Sequence, residues 1–175
     1  MLSIGETNAQ NNYRDSLKQK LIYARQDTSK VDLLTAISWS YLFLYEDSAV
    51  NYAREGLELT QKINYKNGEV NCLNLLCFSL SLFGNFTSAL DFGLKGLSLC
   101  EKLKDTGRLA IANQTLMTCY LEQEDYKEAL KYGLRSENLS KSTKGDSSLN
   151  PVTLGLIGSA YENLNQSTTS IKTAY

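Results

Sequence analysis

Residues 87–102, TSALDFGLKGLSLCEK, occur twice more in altered form, as DSAVNYAREGLELTQK at residues 47–62 and as KEALKYGLRSENLSKS at residues 127–142. The three segments lie at intervals of 40 residues, and each has alanine at its third position. Similarity at a fixed interval is typical of repeat proteins, in which each unit buries its apolar face against its neighbours. The chain is therefore predicted to be a stack of repeated units.

Small side chains recur within each segment at the spacing of one helix face. They stand at the alanine, four positions after it and seven positions after it, in the sets Ala49, Ala53, Gly56; Ala89, Gly93, Gly96; and Ala129, Gly133, Ser136. Positions i, i+4 and i+7 share one stripe of a helix, and small residues on that stripe let a neighbouring helix approach closely. Each segment is therefore predicted to be the second helix of a helical hairpin.

The residues before these segments carry bulky apolar side chains at helical spacing, as in CLNLLCFSLSLFG at residues 72–84 and IANQTLMTCYLEQ at residues 111–123. Between the two predicted helices of a hairpin lie GNF at residues 84–86 and EDY at residues 124–126. Both include residues that favour a helix start. They predict tight turns between antiparallel helices.

The small-residue stripe, these two turns and YKEALKY at residues 126–132 resemble the tetratricopeptide repeat. The resemblance covers about residues 27–175, with a unit of 40 residues instead of the usual one of about 34. This long variant resembles the sensor regions of bacterial histidine kinases and related signalling regulators, and DSLKQKLIYARQDTSKVDLL at residues 15–34 looks like their entry segment. The resemblance implies an all-α fold, a right-handed α-α superhelix of helical hairpins with an N-terminal capping helix.

The resulting organisation is a disordered or tag-like leader at residues 1–10 and a single domain at residues 11–175. The domain divides into a cap helix at 11–26, repeats at 27–65, 66–105 and 106–146, and a partial repeat at 147–175. In the partial repeat, Asn150 and Pro151 are interpreted as the N-cap and first helical residue. Its second helix, STTSIKTAY, is too short to cover the apolar side of the first. We therefore expect the natural protein to continue beyond Tyr175.

Charge and hydropathy exclude two kinds of partner. The formal net charge is −1, and the 18 basic and 19 acidic residues are interspersed, so no basic stripe is available to neutralise phosphates. The sequence therefore argues against nucleic acid. No apolar stretch approaches the roughly 20 residues that span a bilayer, so no membrane span is expected in this chain. The resemblance implies a periplasmic location if the chain belongs to a membrane-bound sensor kinase, and a cytoplasmic one otherwise.

The reactive side chains do not form a recognisable chemical site. Cys72, Cys77, Cys100 and Cys119 lack the C-x-x-C spacing, and the chain has no histidine to complete a metal site. Each cysteine lies in an apolar helical pattern and is predicted to be a core residue, although an even count leaves disulfides open. Without histidine, Ser-His-Asp and Cys-His arrangements are impossible. We therefore expect no catalytic residue, no metal, no cofactor and no enzymatic activity in this chain.

The resemblance implies a concave face lined mainly by the first helix of each repeat. By register this face contains Asp32, Thr35, Trp39, Leu42 and Phe43 in the first repeat, Asn71, Asn74, Phe78 and Leu82 in the second, and Ile111, Gln114, Thr118 and Leu121 in the third. The predicted partner-binding residues are Trp39, Phe43, Asn71, Asn74, Phe78, Gln114 and Thr118. Amides can pair with the backbone of an extended peptide, and aromatic side chains supply the large buried contacts that dominate binding.

A second interpretation of the aromatic residues stays open. Trp39 and Phe43 would pack against the capping helix, and Phe78 would belong to the core between repeats. A clamp for chaperone C-termini is not expected, because the face lacks the lysine and arginine residues that such repeats use to hold a carboxylate.

Three functions are compatible with these features. The leading hypothesis is a scaffold that binds a protein or peptide, as the sensory or interaction region of a larger bacterial signal-transduction protein. The alternatives are a self-assembly module that forms a homodimer through the ends of its stack, and a small-molecule sensor that uses the concave groove as a pocket.

Overall fold

The structure, a computed structural model, describes residues 4–142 and 151–173, with side chains for residues 11–142 and 151–165. The described residues form eight α-helices and no strand. The helices are α1 Ile4–Ile22, α2 Thr28–Tyr41, α3 Glu46–Lys62, α4 Lys66–Leu82, α5 Phe86–Leu103, α6 Thr106–Glu122, α7 Tyr126–Ser142 and α8 Pro151–Thr173. The predicted all-α fold class is confirmed. That residues 11–175 form one domain stays a prediction.

The connections between helices repeat the 40-residue interval. Gly84 and Glu124 have φ angles of 79° and 60° and follow the first helix of their hairpins, whereas Asn64 and Lys104, at 53° and 55°, follow the second. A residue in the left-handed region reverses the chain directly after a helix end. Next to Gly84, the Asn85 side chain accepts a hydrogen bond from the backbone N–H of Ser88 at 3.4 Å. The GNF segment is therefore a tight turn with a helix cap, as predicted.

The curvature of the stack follows from which helices touch. The first helices of successive hairpins are neighbours, because α2 contacts α4, α4 contacts α6 and α6 contacts α8. Among the described residues, no Cα atom of α3 lies within 8 Å of one in α5, and the same holds for α5 and α7. The first helices are thus closer together than the second ones, which places α2, α4, α6 and α8 on the concave side. The predicted α-α superhelix is confirmed.

The small-residue stripe brings the helices into close contact. A Cβ atom on Gly93 would lie 2.7 Å from both the Cys77 Sγ and the Leu116 Cδ2, and one on Gly133 would lie 2.6 Å from the Met117 Sδ. These distances are far shorter than the roughly 3.5–4.0 Å of ordinary carbon contacts. The stripe therefore faces the preceding and following helices, as the sequence predicts.

All four cysteines are free and buried in the core of the stack. Burial raises the pKa of the Cys72 thiol to about 12 and that of Cys100 to about 11. Buried apolar surroundings disfavour the thiolate, so these side chains act as small apolar groups.

The capping helix α1 differs from the prediction at both ends. It begins at Ile4, so residues 4–10 continue the helix instead of forming a disordered leader, since no proline interrupts them. It ends at Ile22 and not at residue 26, because the N–H groups of Tyr23 and Ala24 bond to carbonyls three residues earlier. Arg14 fastens α1 to the C-terminal end of α2 by donating a 2.7 Å hydrogen bond to the Ser40 carbonyl.

The partial repeat also differs from the prediction. Helix α8 begins at Pro151 as expected, but it runs without a break to Thr173, whereas a separate second helix was predicted from residue 167. Leu164 stands at the position of Gly84 and Glu124 but does not have their left-handed backbone, and the helix continues through it. The proposed N-cap, Asn150, and residues 174–175 lie outside the described residues.

Candidate functional site

A groove opens on the concave side where α2, α4 and α6 lie next to one another. It has a volume of about 210 Å³, and its lining consists of Trp39, Asn74, Leu75, Phe78, Ile111, Gln114, Thr115 and Thr118. None of these side chains carries a charge. Five of the seven predicted partner-binding residues, Trp39, Asn74, Phe78, Gln114 and Thr118, line this groove.

An aromatic pair forms one wall of the groove. The ring centroids of Trp39 and Phe78 lie 5.7 Å apart with the planes inclined by 39°. Trp39 remains 53% exposed, whereas Phe78 is half-buried. The ring that Trp39 contacts belongs to α4, so this contact joins the first and second repeats. Its exposed surface is available to a bound side chain.

Asn74 presents only one end of its amide to the groove. Its Oδ1 is buried without a hydrogen-bond partner and points toward α5, where a Cβ atom on Gly96 would lie 3.0 Å away. The Nδ2 group is therefore the polar atom that a ligand in the groove can reach. An amide nitrogen donates hydrogen bonds, so this position selects an acceptor such as a peptide carbonyl.

The threonine hydroxyls of α6 are already engaged as donors within their own helix. Thr118 donates to the Gln114 carbonyl at 3.2 Å, and Thr115 donates to the Ile111 carbonyl at 3.0 Å. Their oxygen lone pairs can still accept a hydrogen bond. The groove thus combines an apolar surface with the donor group of Asn74 and the hydroxyl acceptors of α6.

Several residues assigned to the concave face do not line the groove. Phe43 is 75% exposed but follows the last residue of α2, Tyr41, so it lies in a turn and not in the groove. Leu42 is the C-cap of α2, and its side chain is fully buried instead of facing the groove. Asn71 is exposed one turn before Asn74, beyond the end of the groove. The remaining side chains assigned to this face but absent from the lining are Asp32, Thr35, Leu82 and Leu121.

Leu75 and Thr115 line the groove but were not predicted to do so. They stand 40 residues apart and occupy the same register position as Thr35, which was predicted. The repeat interval therefore contained the signal that would have identified both.

The described residues have neither a metal site nor a membrane span. They contain no group of histidine, cysteine, aspartate or glutamate side chains that could hold a metal ion. None of the described helices is long and apolar enough to cross a bilayer.

Solved structures share this architecture. A Rap protein complexed with Competence and Sporulation Factor matches 95% of the chain with a TM-score of 0.79 and 17% identity, and apo RapI matches 93% with a TM-score of 0.69 and 19% identity. BtubC (BKLC) from P. vanneervenii matches 92% with a TM-score of 0.74 and 14% identity. No family model matches the sequence, and no curated protein is significantly similar to it.

These likenesses concern the fold. The chain spans about half the length of the Rap structures, 48% and 45%, and 68% of BtubC. The molecule is thus an all-helical repeat protein of the same architecture as the Rap proteins.

Proposed function

We propose that this chain binds an extended peptide in the groove between α2, α4 and α6. The observation that carries the proposal is the pair formed by Trp39 and Phe78. This pair leaves 53% of Trp39 exposed inside a groove whose lining residues carry no charge. Aromatic residues in such positions are the usual anchors of binding interfaces. A large apolar side chain of the peptide covers the pair.

The groove favours a peptide over a small molecule. Its volume of about 210 Å³ lies below the roughly 300–1,000 Å³ of pockets that enclose drug-sized ligands. It accommodates one large side chain, while the Asn74 Nδ2 donates to a neighbouring backbone carbonyl. The Rap structure with 17% identity is itself a complex, with Competence and Sporulation Factor, which supports binding by this architecture.

The single tryptophan of the chain makes the proposal directly testable. Peptides that bind the full chain on an unbiased array are titrated while the emission of Trp39 is followed. We expect the binders to share a large apolar residue without adjacent charges, and to shift the emission to shorter wavelength as water is excluded. Binders that leave the emission unchanged would place the binding site elsewhere and refute the groove.

Two further parts of the proposal rest on the sequence. The chain acts without enzymatic activity of its own, since it has no histidine for acid-base chemistry. It serves as the interaction region of a signalling protein, for which the support is the resemblance of residues 15–34 and of the long repeats to sensor regions of histidine kinases. The complete reading frame tests this role, because a kinase region encoded in the same frame is the expected result.

Self-assembly is a second candidate, favoured by the surface of α8. Val152, Leu154 and Tyr161 are 60%, 37% and 46% exposed on this last described helix. Exposed apolar positions at the end of a stack can pair with a second copy. Sedimentation equilibrium distinguishes the two candidates: a stable dimer that Val152→Ser and Tyr161→Ser dissociate supports assembly, whereas a monomer rules it out.

A further inference from the structure

A second cleft lies on the opposite, convex side of the stack, between α3 and α5. It has a volume of about 510 Å³. Its floor is apolar and includes Leu73 of α4 and Phe92 of α5, and its rim carries Lys66, Lys95 and Lys102. This surface is separate from the concave groove and shares none of its lining residues.

The cleft is open because an ion pair found in the next repeat is missing here. Between α5 and α7, Arg135 donates to the Glu101 carboxylate at 2.8 Å and bridges the gap. The equivalent residues 40 positions earlier are Lys95 and Gln61. Gln61 has no charge to attract Lys95, whose ammonium pairs with Asp91 of its own helix at 2.7 Å. Among the described residues no ion pair therefore bridges α3 and α5 across the cleft, although the Arg54 guanidinium of α3 lies 5.2 Å from the centre of the Phe92 ring.

The charge of the rim is also particular to this repeat. Glu69 is the only carboxylate among the residues that line the cleft, and it pairs with Lys66 at 2.8 Å. Lys102 has no ion pair among the described residues. In the following repeat, threonine and serine occupy the positions of Lys66 and Lys102. Ion pairs between exposed side chains are weak and exchange readily with other partners. The rim is thus a cationic surface available to carboxylates.

We propose that this convex cleft binds an acidic amphipathic helix of a partner protein. Apolar side chains of that helix cover Leu73 and Phe92, and its carboxylates pair with Lys95 and Lys102. An amphipathic helix in an apolar groove is a common mode of recognition, and opposite charges along the rim fix its orientation. The α5 part of the lining, from Phe92 to Lys102, extends about 15 Å, which matches two to three helical turns. The proposal does not depend on the function of the concave groove.

The test uses three helical peptides of about 14 residues, four turns, with the same leucine stripe and with glutamate, glutamine or lysine on the flanks. Their binding to the full chain is measured by fluorescence anisotropy. We expect the glutamate peptide to bind about tenfold more tightly than the glutamine peptide, and to lose this advantage at high salt. Equal binding of the two peptides, or binding to phosphatidylserine vesicles without binding to the glutamate peptide, would overturn the proposal.

Three variants locate the binding. Lys95→Glu with Lys102→Glu is expected to weaken the glutamate peptide about tenfold or more, whereas Lys127→Glu, a charge reversal on the exposed start of α7, leaves it unchanged. Gln61→Glu with Lys95→Arg places between α3 and α5 the same kind of pair that Arg135 and Glu101 form between α5 and α7. This double variant is expected to block the cleft without lowering the melting temperature. Trp39 emission stays constant throughout, since the tryptophan lies on the other face. Full affinity in either double variant would refute the site.

Discussion

Trp39 of α2 and Phe78 of α4 place their ring centroids 5.7 Å apart, although they come from different repeats. The contact joins neighbouring hairpins on their concave side, and it leaves 53% of Trp39 exposed to the groove. A tryptophan buried in the core would offer nothing to a ligand, and an isolated one on the surface would lack a rigid wall behind it. The pair therefore provides a prepared apolar surface, on which the first prediction rests.

Truncation of either ring is expected to weaken peptide binding strongly. Trp39→Ala and Phe78→Ala each remove an anchor, which commonly costs about 2 kcal/mol or more of binding free energy, on the order of thirtyfold in Kd. The measurement is the anisotropy of a labelled peptide selected on the full chain. Lys131→Ala on the exposed face of α7 serves as the control and should keep the affinity of the parent chain.

Melting temperatures separate a binding role from a structural one. If Trp39→Ala lowers stability as much as affinity, the ring supports the fold and the anchor role fails. If affinity survives all of Trp39→Ala, Phe78→Ala and Asn74→Ala in folded protein, the groove is not the binding site.

The close approach at Gly93 predicts a large penalty for one added methyl group. Gly93→Ala would bring a Cβ to 2.7 Å from both the Cys77 Sγ and the Leu116 Cδ2, so we expect a loss of about 1–3 kcal/mol of unfolding free energy. Gly155→Ala in α8 is the matched control, because nothing lies within 4 Å of its added Cβ. There alanine should stabilise the helix by roughly 0.5–1 kcal/mol. Urea denaturation measures both, and equal effects would disprove the packing argument.

Overpacking at Ala89 tests the same stripe with a larger group. Ala89 is fully buried among Val70, Leu97 and other core residues of the second repeat, so Ala89→Leu is expected to cost about 1–3 kcal/mol. Thr87→Leu, two residues earlier on the exposed side of α5, is the control. Unchanged thermal unfolding of Ala89→Leu would show that the repeat register is wrong.

The sequence predicts those parts of the molecule that depend on a repeated pattern. Ala89 and Gly93 mark the helix face that touches other helices, because close approach requires small side chains wherever it occurs. The 40-residue interval pairs Asn74 with Gln114 and Phe78 with Thr118 on one groove, since α4 and α6 present equivalent faces, whereas the positions equivalent to Trp39 are the buried Ser79 and Cys119. Local spacing is sufficient for these features.

Features that depend on a single helix end or a single substitution were not predicted. Helix α8 continues through Leu164, although the chain turns between α2 and α3 at the equivalent residue, Leu44. Leu42 and Phe43 leave the expected face because α2 ends at Tyr41. The convex cleft depends on Gln61 in place of an acidic residue, which looks like an ordinary surface substitution until the helices are in position. Tertiary geometry gives such substitutions their consequence.

The buried thiols predict how stability depends on pH at the alkaline end. Burial raises the pKa of Cys72 to about 12 and that of Cys100 to about 11, from an ordinary value of 9.0. Below pH 9 the thiols are protonated in the folded and unfolded chain, so their contribution to stability is fully present. Between pH 9 and about 11 to 12 the unfolded chain releases protons that the folded chain keeps, and the free energy of unfolding must fall. Urea midpoints measured at pH 7, 9 and 10 follow this loss, and the double variant Cys72→Ala with Cys100→Ala should show a shallower decline above pH 9 than the parent chain. An identical decline in both proteins would mean that other groups cause the alkaline transition. A thiol reagent added to the folded chain at pH 8 should likewise react slowly with Cys72 and Cys100 until denaturant exposes them, because only the thiolate is nucleophilic.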